Sequence, residues 1–414
     1  MTNLPQGWEV KTLSEIGEIV TGSTPSKSNL DFYGKDYPFF KPSDFEQGYF
    51  LENAGDNLSK LGFDKARQLP PKTILVVCIG SLGKVALTRV IGSCNQQINA
   101  IIPHKNIIAE YIYYYCISSK FQSILFSKAP QTTLAILNKT EFSKLEIIYP
   151  KDIKEQERIV GILDESFAKI DESIKILEQN LLNLDELMQS ALQKAFNPLK
   201  DNAKENYKLP QGWKWKSLGE ICEILGGGTP DTKNPIFWYS SQADEVQFEK
   251  SYYWATLVDT KQKYLYGTKR KITQKGLDCS NAILLPINSV IFSSRASIGE
   301  ISIAKVETAT NQGYKNFICD ESILYYEFLY FALKHFTKEI ELLAQGTTYK
   351  EVSKAKIKDF KIPLPPLKEQ EQITKHLDFI FEKAKALKEL YTKELKDYEE
   401  LKQSLLDKAF KGEL

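Results

Sequence analysis

The chain has little of what most enzymes and membrane proteins require. Its 414 residues include three histidines and six cysteines, and no two cysteines are close enough in sequence to form a CxxC pair. Such scattered cysteines favour buried, reduced thiols over disulfides or a zinc site. No apolar run approaches the roughly 20 residues of a membrane-spanning helix, and the first seven residues are polar. The sequence therefore predicts a cytoplasmic protein that does not contact a membrane.

Motifs for catalysis and nucleotide binding are also missing. There is no GxxxxGK[ST] phosphate loop, and Gly226-Gly227-Gly228 precedes a Thr-Pro turn instead of opening a helix. The nearest approach to the Asn-Pro-Pro-aromatic loop of an adenine methyltransferase is Asn234-Pro235-Ile236-Phe237, which lacks the second proline. Pro230-Asp231 with Asp259-Thr260-Lys261 fits a loose PD…DxK nuclease pattern, but 53 acidic residues produce such matches by chance. The sequence favours a protein that catalyses nothing and holds no metal or cofactor.

What the chain does contain is a repeat of its own sequence. Leu4-Pro5-Gln6-Gly7-Trp8 returns as Leu209-Pro210-Gln211-Gly212-Trp213, and Lys154-Glu155-Gln156-Glu157 returns as Lys368-Glu369-Gln370-Glu371. The offset grows from 205 to 214 residues between these matches, which indicates small loop insertions. Hydrophobic residues make up 42% of the chain, enough for folded cores. The length favours two or more domains, and the repeat predicts two with one plan.

Within each half, the pattern changes near a proline. Short apolar runs such as Ile74 to Ile79 and Ser289 to Phe292 alternate with Gly, Asn and Ser upstream, as strands of a mixed fold do. Downstream of Pro150 and Pro365-Pro366, apolar residues recur every three or four positions, which predicts a long helix in each half. The expected seams are Leu163, Phe167, Ile170, Ile174, Leu177, Leu181, Leu184 and Met188 in the first helix, and Leu377, Phe381, Tyr391, Leu395, Tyr398 and Leu405 in the second.

The second seam is less regular than the first. Lys388 and Lys402 stand where apolar residues would continue it. We expect the two helices to pack on each other as an antiparallel coiled coil. The alternative, which the pattern leaves open, is that each helix packs on its own globular domain. The fold class predicted is α+β, with two mixed α/β domains separated by two long helices and related by a pseudo-twofold internal repeat.

Taken together, these motifs resemble the specificity subunits of type I restriction-modification systems. The resemblance rests on the LPQGW opening of each half, Gly-x-Thr-Pro, the proline turn before Lys-Glu-Gln-Glu, and the closing Lys408-Ala-Phe-Lys-Gly-Glu-Leu414. It implies target recognition domains at residues 1–150 and 201–362, and conserved helical spacers at 151–200 and 363–414. One departure is Tyr149-Pro150-Lys151, where the family usually has two prolines, and it predicts a looser linker.

The resemblance also implies partners and a division of labour. Such a subunit reads a split site on double-stranded DNA, binds two methyltransferase subunits and recruits restriction subunits. S-adenosylmethionine, ATP and Mg²⁺ would then belong to those partners and not to this chain. A first helix of 33 residues from Leu163 to Ala195 would extend about 50 Å, against roughly 34 Å for one turn of DNA. Such helices would set the distance between two recognition domains.

Side chains that contact DNA reach base edges or hold phosphates. The stretch Lys261 to Lys271 interleaves cations with aromatic residues and is the strongest basic patch. The candidates are Ser23, Thr24, Lys27, Ser81, Lys84, Arg89, Asn95 and Gln96 in the first half, and Thr229, Lys233, Lys261, Lys263, Lys269, Arg270, Lys271, Arg295, Ser297, Asn311, Gln312, Thr348 and Lys350 in the second.

Each of these groups has a plainer interpretation. The loops Gly22-Ser23-Thr24-Pro25 and Gly227-Gly228-Thr229-Pro230 suit close approach to a phosphate, but they could be simple turns. The repeated Ser and Asn-Gln groups could form shared buried hydrogen bonds, and the basic stretch could be a solvated hairpin. Charge gives weak support to DNA contact, because residues 1–150 and 201–362 carry net charges of +2 and +3 while the helical segments are acidic. A coiled-coil scaffold that does not read DNA is the remaining alternative.

Overall fold

The computed structural model describes residues 4–129, 135–199, 209–239, 250–346 and 350–414. The chain divides into two units, Met1–Gln179 with Tyr391–Leu414, and Asn180–Leu390. We call them unit 1 and unit 2. The division falls within the two long helices, so each unit contains part of both.

Unit 1 is a mixed fold of three sheets. Its strands are β1 (Trp8–Thr12), β2 (Gly17–Thr21), β3 (Tyr33–Phe40), β4 (Phe50–Leu51), β5 (Asn57–Leu58), β6 (Ile74–Val77), β7 (Val85–Thr88), β8 (Ser93–Cys94), β9 (Ile98–Pro103) and β10 (Glu146–Pro150). Its helices are α1 (Leu13–Ile16), α2 (Lys60–Lys65), α3 (Ala109–Ile117), α4 (Ser119–Lys128), α5 (Lys139–Ser143) and the first part of α6 (Ile153–Phe196). The sheets have the orders β2-β9-β6-β7-β4, β5-β3-β8 and β1-β10.

Unit 2 repeats these elements in the same order. Its strands are β11 (Lys214–Ser217), β12 (Cys222–Gly226), β13 (Ser251–Ala255), β14 (Tyr264–Leu265), β15 (Arg270–Thr273), β16 (Val290–Ser293), β17 (Ile301–Ala304), β18 (Thr308–Thr310), β19 (Tyr314–Cys319) and β20 (Lys361–Leu364). Its helices are α7 (Leu218–Ile221), α8 (Gln274–Asp278), α9 (Tyr326–His335), α10 (Thr337–Leu342), α11 (Lys354–Asp359) and the first part of α12 (Leu367–Ala409). The sheet orders β12-β19-β16-β17-β14, β15-β13-β18 and β11-β20 correspond strand for strand to those of unit 1. The predicted α+β fold and internal repeat are confirmed.

The core of each unit lies on both faces of its five-stranded sheet. All four residues of β6 and of β16 are buried, which explains why these strands read as continuous apolar runs. One face of the first sheet packs against α3, where Tyr111, Tyr114 and Tyr115 are fully buried. None of the helices in the described ranges is long and apolar enough to cross a membrane.

A buried glutamine fixes the start of each long helix. The side chain of Gln156 accepts a hydrogen bond from the backbone nitrogen of Ile108 at 2.9 Å and donates one to the carbonyl of Pro150 at 2.9 Å. Gln370 repeats this arrangement with the nitrogen of Tyr325 and the carbonyl of Pro365, at 2.9 and 2.8 Å. These bonds tie each long helix to its globular domain.

The linker with a single proline is held in the same way as the one with two. Tyr149 is buried, and Gln156 bonds to the carbonyl of Pro150 as Gln370 does to that of Pro365. The bond is made to a backbone carbonyl that any residue supplies, so it does not depend on the second proline; the looser first linker stays a prediction.

The two long helices pack on each other within each unit. Helix α6 has 44 residues and α12 has 43, and every residue of the two predicted seams is buried or half-buried. Lys402 pairs with Asp171 in unit 1 at 2.6 Å, and Lys388 pairs with Asp185 in unit 2. The lysines that interrupt the apolar seam thus contact acidic residues of the facing helix.

Candidate nucleic-acid interface

Three polar segments meet at one end of each five-stranded sheet. In unit 1 they follow β2, follow β6 and precede β9, which are neighbours in the sheet. The backbone nitrogen of Ser23 bonds to the carbonyl of Cys94, and that of Cys78 bonds to the carbonyl of Gln97, at 2.9 and 2.8 Å. We call the candidate side chains on these segments the strand-end cluster: Thr24, Ser81, Asn95 and Gln96 in unit 1, and Thr229, Ser297, Asn311 and Gln312 in unit 2.

Within the cluster, the same hydrogen bonds occur in both units. The hydroxyl of Thr24 donates to the side-chain oxygen of Gln96, and Thr229 donates in the same way to Gln312. Both glutamines are exposed, so their amide nitrogens remain donors at the surface. The sequence candidates Thr24 with Gln96 and Thr229 with Gln312 are thus brought together in space.

Asn95 and Asn311 shape the turns that present these glutamines. The side-chain oxygen of Asn95 accepts from the nitrogen of Gln97 at 3.0 Å, and that of Asn311 accepts from the nitrogen of Gly313 at 2.8 Å. Asn95 is itself buried. These two asparagines hold the backbone, as Asx turns do.

The glycines of the neighbouring loop are required by packing. A Cβ on Gly22 would lie 2.0 Å from the carbonyl oxygen of Asn95, and one on Gly227 would lie 1.8 Å from that of Asn311. Any larger residue would push the loop off the turn that carries the glutamine. The glycines therefore place Thr24 and Thr229, and this requirement accounts for them without a phosphate. Ser23 next to Gly22 is half-buried, and its hydroxyl accepts a bond from the nitrogen of Arg67.

The turn after the central strand differs between the units. In unit 1 it contains Ile79 and Gly80, with a φ of 82° at the glycine, and in unit 2 it contains Arg295 and Ala296, with a φ of 64° at the alanine. A positive φ is unfavourable for alanine. A cavity of about 230 Å³ lies beside this turn in unit 2, and its lining includes Arg295 of the turn with Asn311 and Gln312 of the cluster. Ser81 and Ser297 are exposed at equivalent places.

Several predicted DNA-contacting cations already have acidic partners. Arg89 pairs with Glu52 at 2.8 Å and stacks on the ring of Phe50 at 3.7 Å. Lys84 pairs with Glu46, and its hydrogen bond lowers the pKa of that carboxyl. A phosphate would have to compete with these carboxylates for either cation.

The basic stretch of unit 2 does not form a single patch. Lys261 pairs with Glu300 at 2.7 Å. Lys263 is largely buried and contacts Asp378 and Glu327, the latter at 3.2 Å. Since Lys263 is held inside the fold by two carboxylates, we leave it out of the proposed DNA surface.

The other end of the stretch is more exposed. The guanidinium of Arg270 stacks on Trp238 at 3.6 Å, and the Nζ of Lys271 lies 4.6 Å from the ring centre of Tyr253. Lys269 is exposed. Stacking on aromatic rings restrains Arg270 and Lys271 but leaves their positive charges available to bind a phosphate.

Four of the candidate lysines, Lys27, Lys233, Lys269 and Lys350, are exposed and form no ion pair with a residue whose structure is described. Lys27 and Lys233 follow the loops that carry Thr24 and Thr229. The candidate Thr348 lies outside the described residues.

Arg67 and the tryptophans of unit 2 were not foreseen from the sequence. The guanidinium of Arg67 donates to the carbonyl of Thr21 beside the cluster of unit 1. Trp238 and Trp254 meet edge to face at 4.9 Å beneath Arg270. No spacing in the sequence signals either arrangement, because each joins residues that are distant along the chain.

The residues of the loose nuclease pattern have other roles. One oxygen of Asp259 accepts from the nitrogen and hydroxyl of Thr256, and the other accepts from the nitrogen of Lys269 at 2.8 Å. Asp231 accepts from the nitrogen of Lys233. Within the ranges that the structure describes, no group of three or more His, Cys, Asp or Glu side chains could hold a metal ion.

Comparison with known proteins decides the family. The profile of the type I restriction modification DNA specificity domain matches twice, at residues 5–182 and 210–396. The chain belongs to this family. Each of the two matches covers one copy of the internal sequence repeat.

Relatives of this family member include subunits from bacteria and archaea. The HindI specificity subunit of Haemophilus influenzae is 37% identical over 191 residues, which is 45% of this chain and 42% of that subunit. The MjaIX specificity subunit of Methanocaldococcus jannaschii is 29% identical over 385 residues, covering 88% of this chain and 84% of the relative.

Solved structures of the family share the fold. A chain from a structure of type I restriction-modification complex assembly and conformational transition has a TM-score of 0.79 at 21% identity, with all of both chains covered. The HsdS subunit of Thermoanaerobacter tengcongensis has a TM-score of 0.59 at 20% identity, covering 99% of this chain and 98% of that one.

Proposed function

We propose that the chain is the non-catalytic subunit that reads a two-part DNA site, with each unit reading one part through its strand-end cluster. The observation that supports this proposal is the repeated bond of Thr24 to Gln96 and of Thr229 to Gln312, on scaffolds whose adjacent turns differ. A common scaffold gives both units the same way of approaching DNA. The turns differ, with Ile79 and Gly80 in unit 1 and Arg295 and Ala296 in unit 2. This difference gives each unit its own base preference.

The exposed glutamines suit base recognition. A glutamine amide can donate to one base atom and accept from another in the major groove, and an arginine can donate two hydrogen bonds to guanine. Each good contact of this kind discriminates by about 1–3 kcal/mol. The lysines at 27, 233, 269 and 350 would contribute sequence-independent phosphate contacts.

The partners proposed are two methyltransferase subunits and the restriction subunits. Relatives of this chain carry the name of specificity subunits of type I restriction enzymes, and a solved neighbour comes from a study of complex assembly. On this proposal S-adenosylmethionine, ATP and Mg²⁺ act in the partner subunits, and the chain by itself changes no DNA.

Two matched variants test the proposal. In the complex with its methyltransferase, Gln96→Ala is expected to relax the methylated sequence in one half of the site only, and Gln312→Ala in the other half only. A single lost contact should weaken discrimination about 5- to 150-fold, from 1–3 kcal/mol. Gln189→Ala, at an exposed position of α6, is the control. If either cluster variant changed both halves, or neither variant changed any base, the proposal would fail.

The absence of catalysis is tested separately. The purified chain, incubated with DNA, Mg²⁺ and S-adenosylmethionine, is expected to leave the DNA uncut and unmethylated. Cleavage that Asp259→Ala abolishes would instead support the nuclease interpretation.

A further inference from the structure

Two cysteines 97 residues apart in the sequence lie opposite each other in unit 2. Cys222 begins β12 and Cys319 ends β19, and the register of this antiparallel pair sets one directly across from the other. Both thiols are free in the structure. At the equivalent place in unit 1, Gly17 lies across from Pro103, so the arrangement belongs to unit 2 alone.

The neighbouring backbone hydrogen bonds show whether the two cysteines form a hydrogen-bonded or a non-hydrogen-bonded pair of the antiparallel ladder. The nitrogen of Asp320 bonds to the carbonyl of Ile221 at 3.1 Å, and the nitrogen of Cys222 bonds within its own segment to Leu218. Bonded and non-bonded pairs alternate along an antiparallel ladder. Cys222 and Cys319 are therefore a non-bonded pair, the kind whose Cα atoms lie about 4.5 Å apart and whose side chains are closest.

That separation is compatible with a disulfide. Bridged cysteines have Cα atoms roughly 4.4–6.8 Å apart, so no strand would need to move far. The two thiols also differ in access, since Cys222 is 7% exposed and Cys319 is half-buried. The neighbouring Cys319 thiol and burial together raise the pKa of the Cys222 thiol, which keeps it protonated and slows spontaneous oxidation.

We propose that Cys222 and Cys319 form a reversible disulfide when the protein meets a peroxide. The more accessible Cys319 reacts first: its sulfur takes one oxygen of the peroxide and becomes a sulfenic acid, while the thiol proton leaves with the other oxygen as water. The sulfur of Cys222 then attacks the Cys319 sulfur, and the S–S bond forms as the Cys222 proton leaves with the sulfenic hydroxyl as the second water. In balance, two thiols and one peroxide give one disulfide and two waters.

The bond would join β12 and β19 at the end opposite the proposed DNA-reading surface, and both strands lead to that surface. β12 is an edge strand of the five-stranded sheet and leads into the loop that carries Thr229, while the turn with Gln312 directly precedes β19. A disulfide between these strands would join them covalently and close a loop of about 100 residues, which in the chain-entropy model stabilises strongly. Unit 1 would be unaffected.

Peroxide treatment of the full-length protein tests the proposal. We expect a loss of two free thiols per chain, a mass 2 Da lower, and a proteolytic fragment that links Cys222 to Cys319. We also expect the unfolding midpoint to rise by roughly 5 °C or more and to return after addition of a reductant. Cys222→Ser and Cys319→Ser should each abolish the linked fragment and the rise.

Cys279→Ser provides the control, because Cys279 is exposed and forms no part of the pair. This variant should keep both the linked fragment and the rise. Oxidation that stops at separate sulfenic or sulfinic acids on Cys319, or a bridge between any other two cysteines such as Cys78 and Cys116, would overturn the proposal.

Discussion

Lys402 of α12 donates a hydrogen bond to Asp171 of α6 over 2.6 Å in unit 1. In unit 2, Lys388 contacts Asp185. Within unit 1, Arg158 near the start of α6 also donates a hydrogen bond to the backbone oxygen of Leu414, just after α12, so the two helices run antiparallel in that unit. Each ion pair favours one register of the facing helices within its own unit.

Exchanging the charges of one pair tests this assignment. Lys402→Glu should place like charges together and destabilise unit 1 by about 0.5–1 kcal/mol, and the double variant with Asp171→Lys should restore most of the loss. Denaturant unfolding of the four proteins gives the coupling between the two residues. Exchanging Lys396 and Glu400, an exposed pair on α12 itself, is the control and should have little effect. A coupling free energy of zero between Lys402 and Asp171 would contradict the proposal that this ion pair helps to set the register of α6 against α12.

Gln156 should be among the most sensitive positions in unit 1. Gln156→Leu leaves the nitrogen of Ile108 and the carbonyl of Pro150 buried without partners, which should cost at least about 2 kcal/mol at roughly 1–3 kcal/mol per unsatisfied group. Hydrogen exchange at the start of α6 and global unfolding measure the effect. Gln189→Leu, exposed on the same helix, is expected to be neutral. Equal stability of the two variants would show that Gln156 does not fix the helix.

The sequence allowed much of the fold to be predicted because its signals were local and repeated. The apolar spacing of α6 and the recurrence of Lys-Glu-Gln-Glu were enough to predict two long helices and two similar units. The functions of individual residues were harder to predict. Gly22 looked suited to a phosphate, but the atom that demands a glycine is the carbonyl of Asn95, 73 residues away.

The same limit applies to charges and cysteines. Lys263 and Lys269 are close in sequence, but the fold holds Lys263 half-buried against Asp378 and exposes Lys269. The pairing of Cys222 with Cys319 depends on a strand register that no local motif encodes. Contacts between distant residues decide which polar side chains remain free to bind DNA.

Lys269 and Lys263 should therefore respond differently to substitution. In the methyltransferase complex, Lys269→Ala is expected to lower the slope of log affinity against log salt by roughly 0.9, the value for one phosphate contact, without changing the bases recognised. Lys263→Met should leave the slope unchanged and reduce the stability of unit 2. An unchanged slope in Lys269→Ala would show that this lysine does not contact a phosphate.

Lengthening both long helices tests their proposed role as a spacer. Seven residues inserted after Gln179 and seven after Leu390 add one heptad to each helix at the division between the units, so the seam continues. The helices gain about 10 Å at 1.5 Å per residue, or about three base pairs at 3.4 Å each. Mapping of methylated sites should show the same two half-sites with a spacer longer by about three pairs. Retention of the original spacer by an active variant would contradict the role.

Exchanging one recognition domain tests the central claim most directly. Residues 1–150 are replaced by the matching segment of a relative that reads a different site, and the methylated positions are mapped by long-read sequencing of host DNA. If each unit reads its own part of the site, one half of the methylated sequence changes to that of the relative, while the other half and the spacer remain. A change in both halves, or in neither half despite continued methylation, would contradict independent reading by the two units.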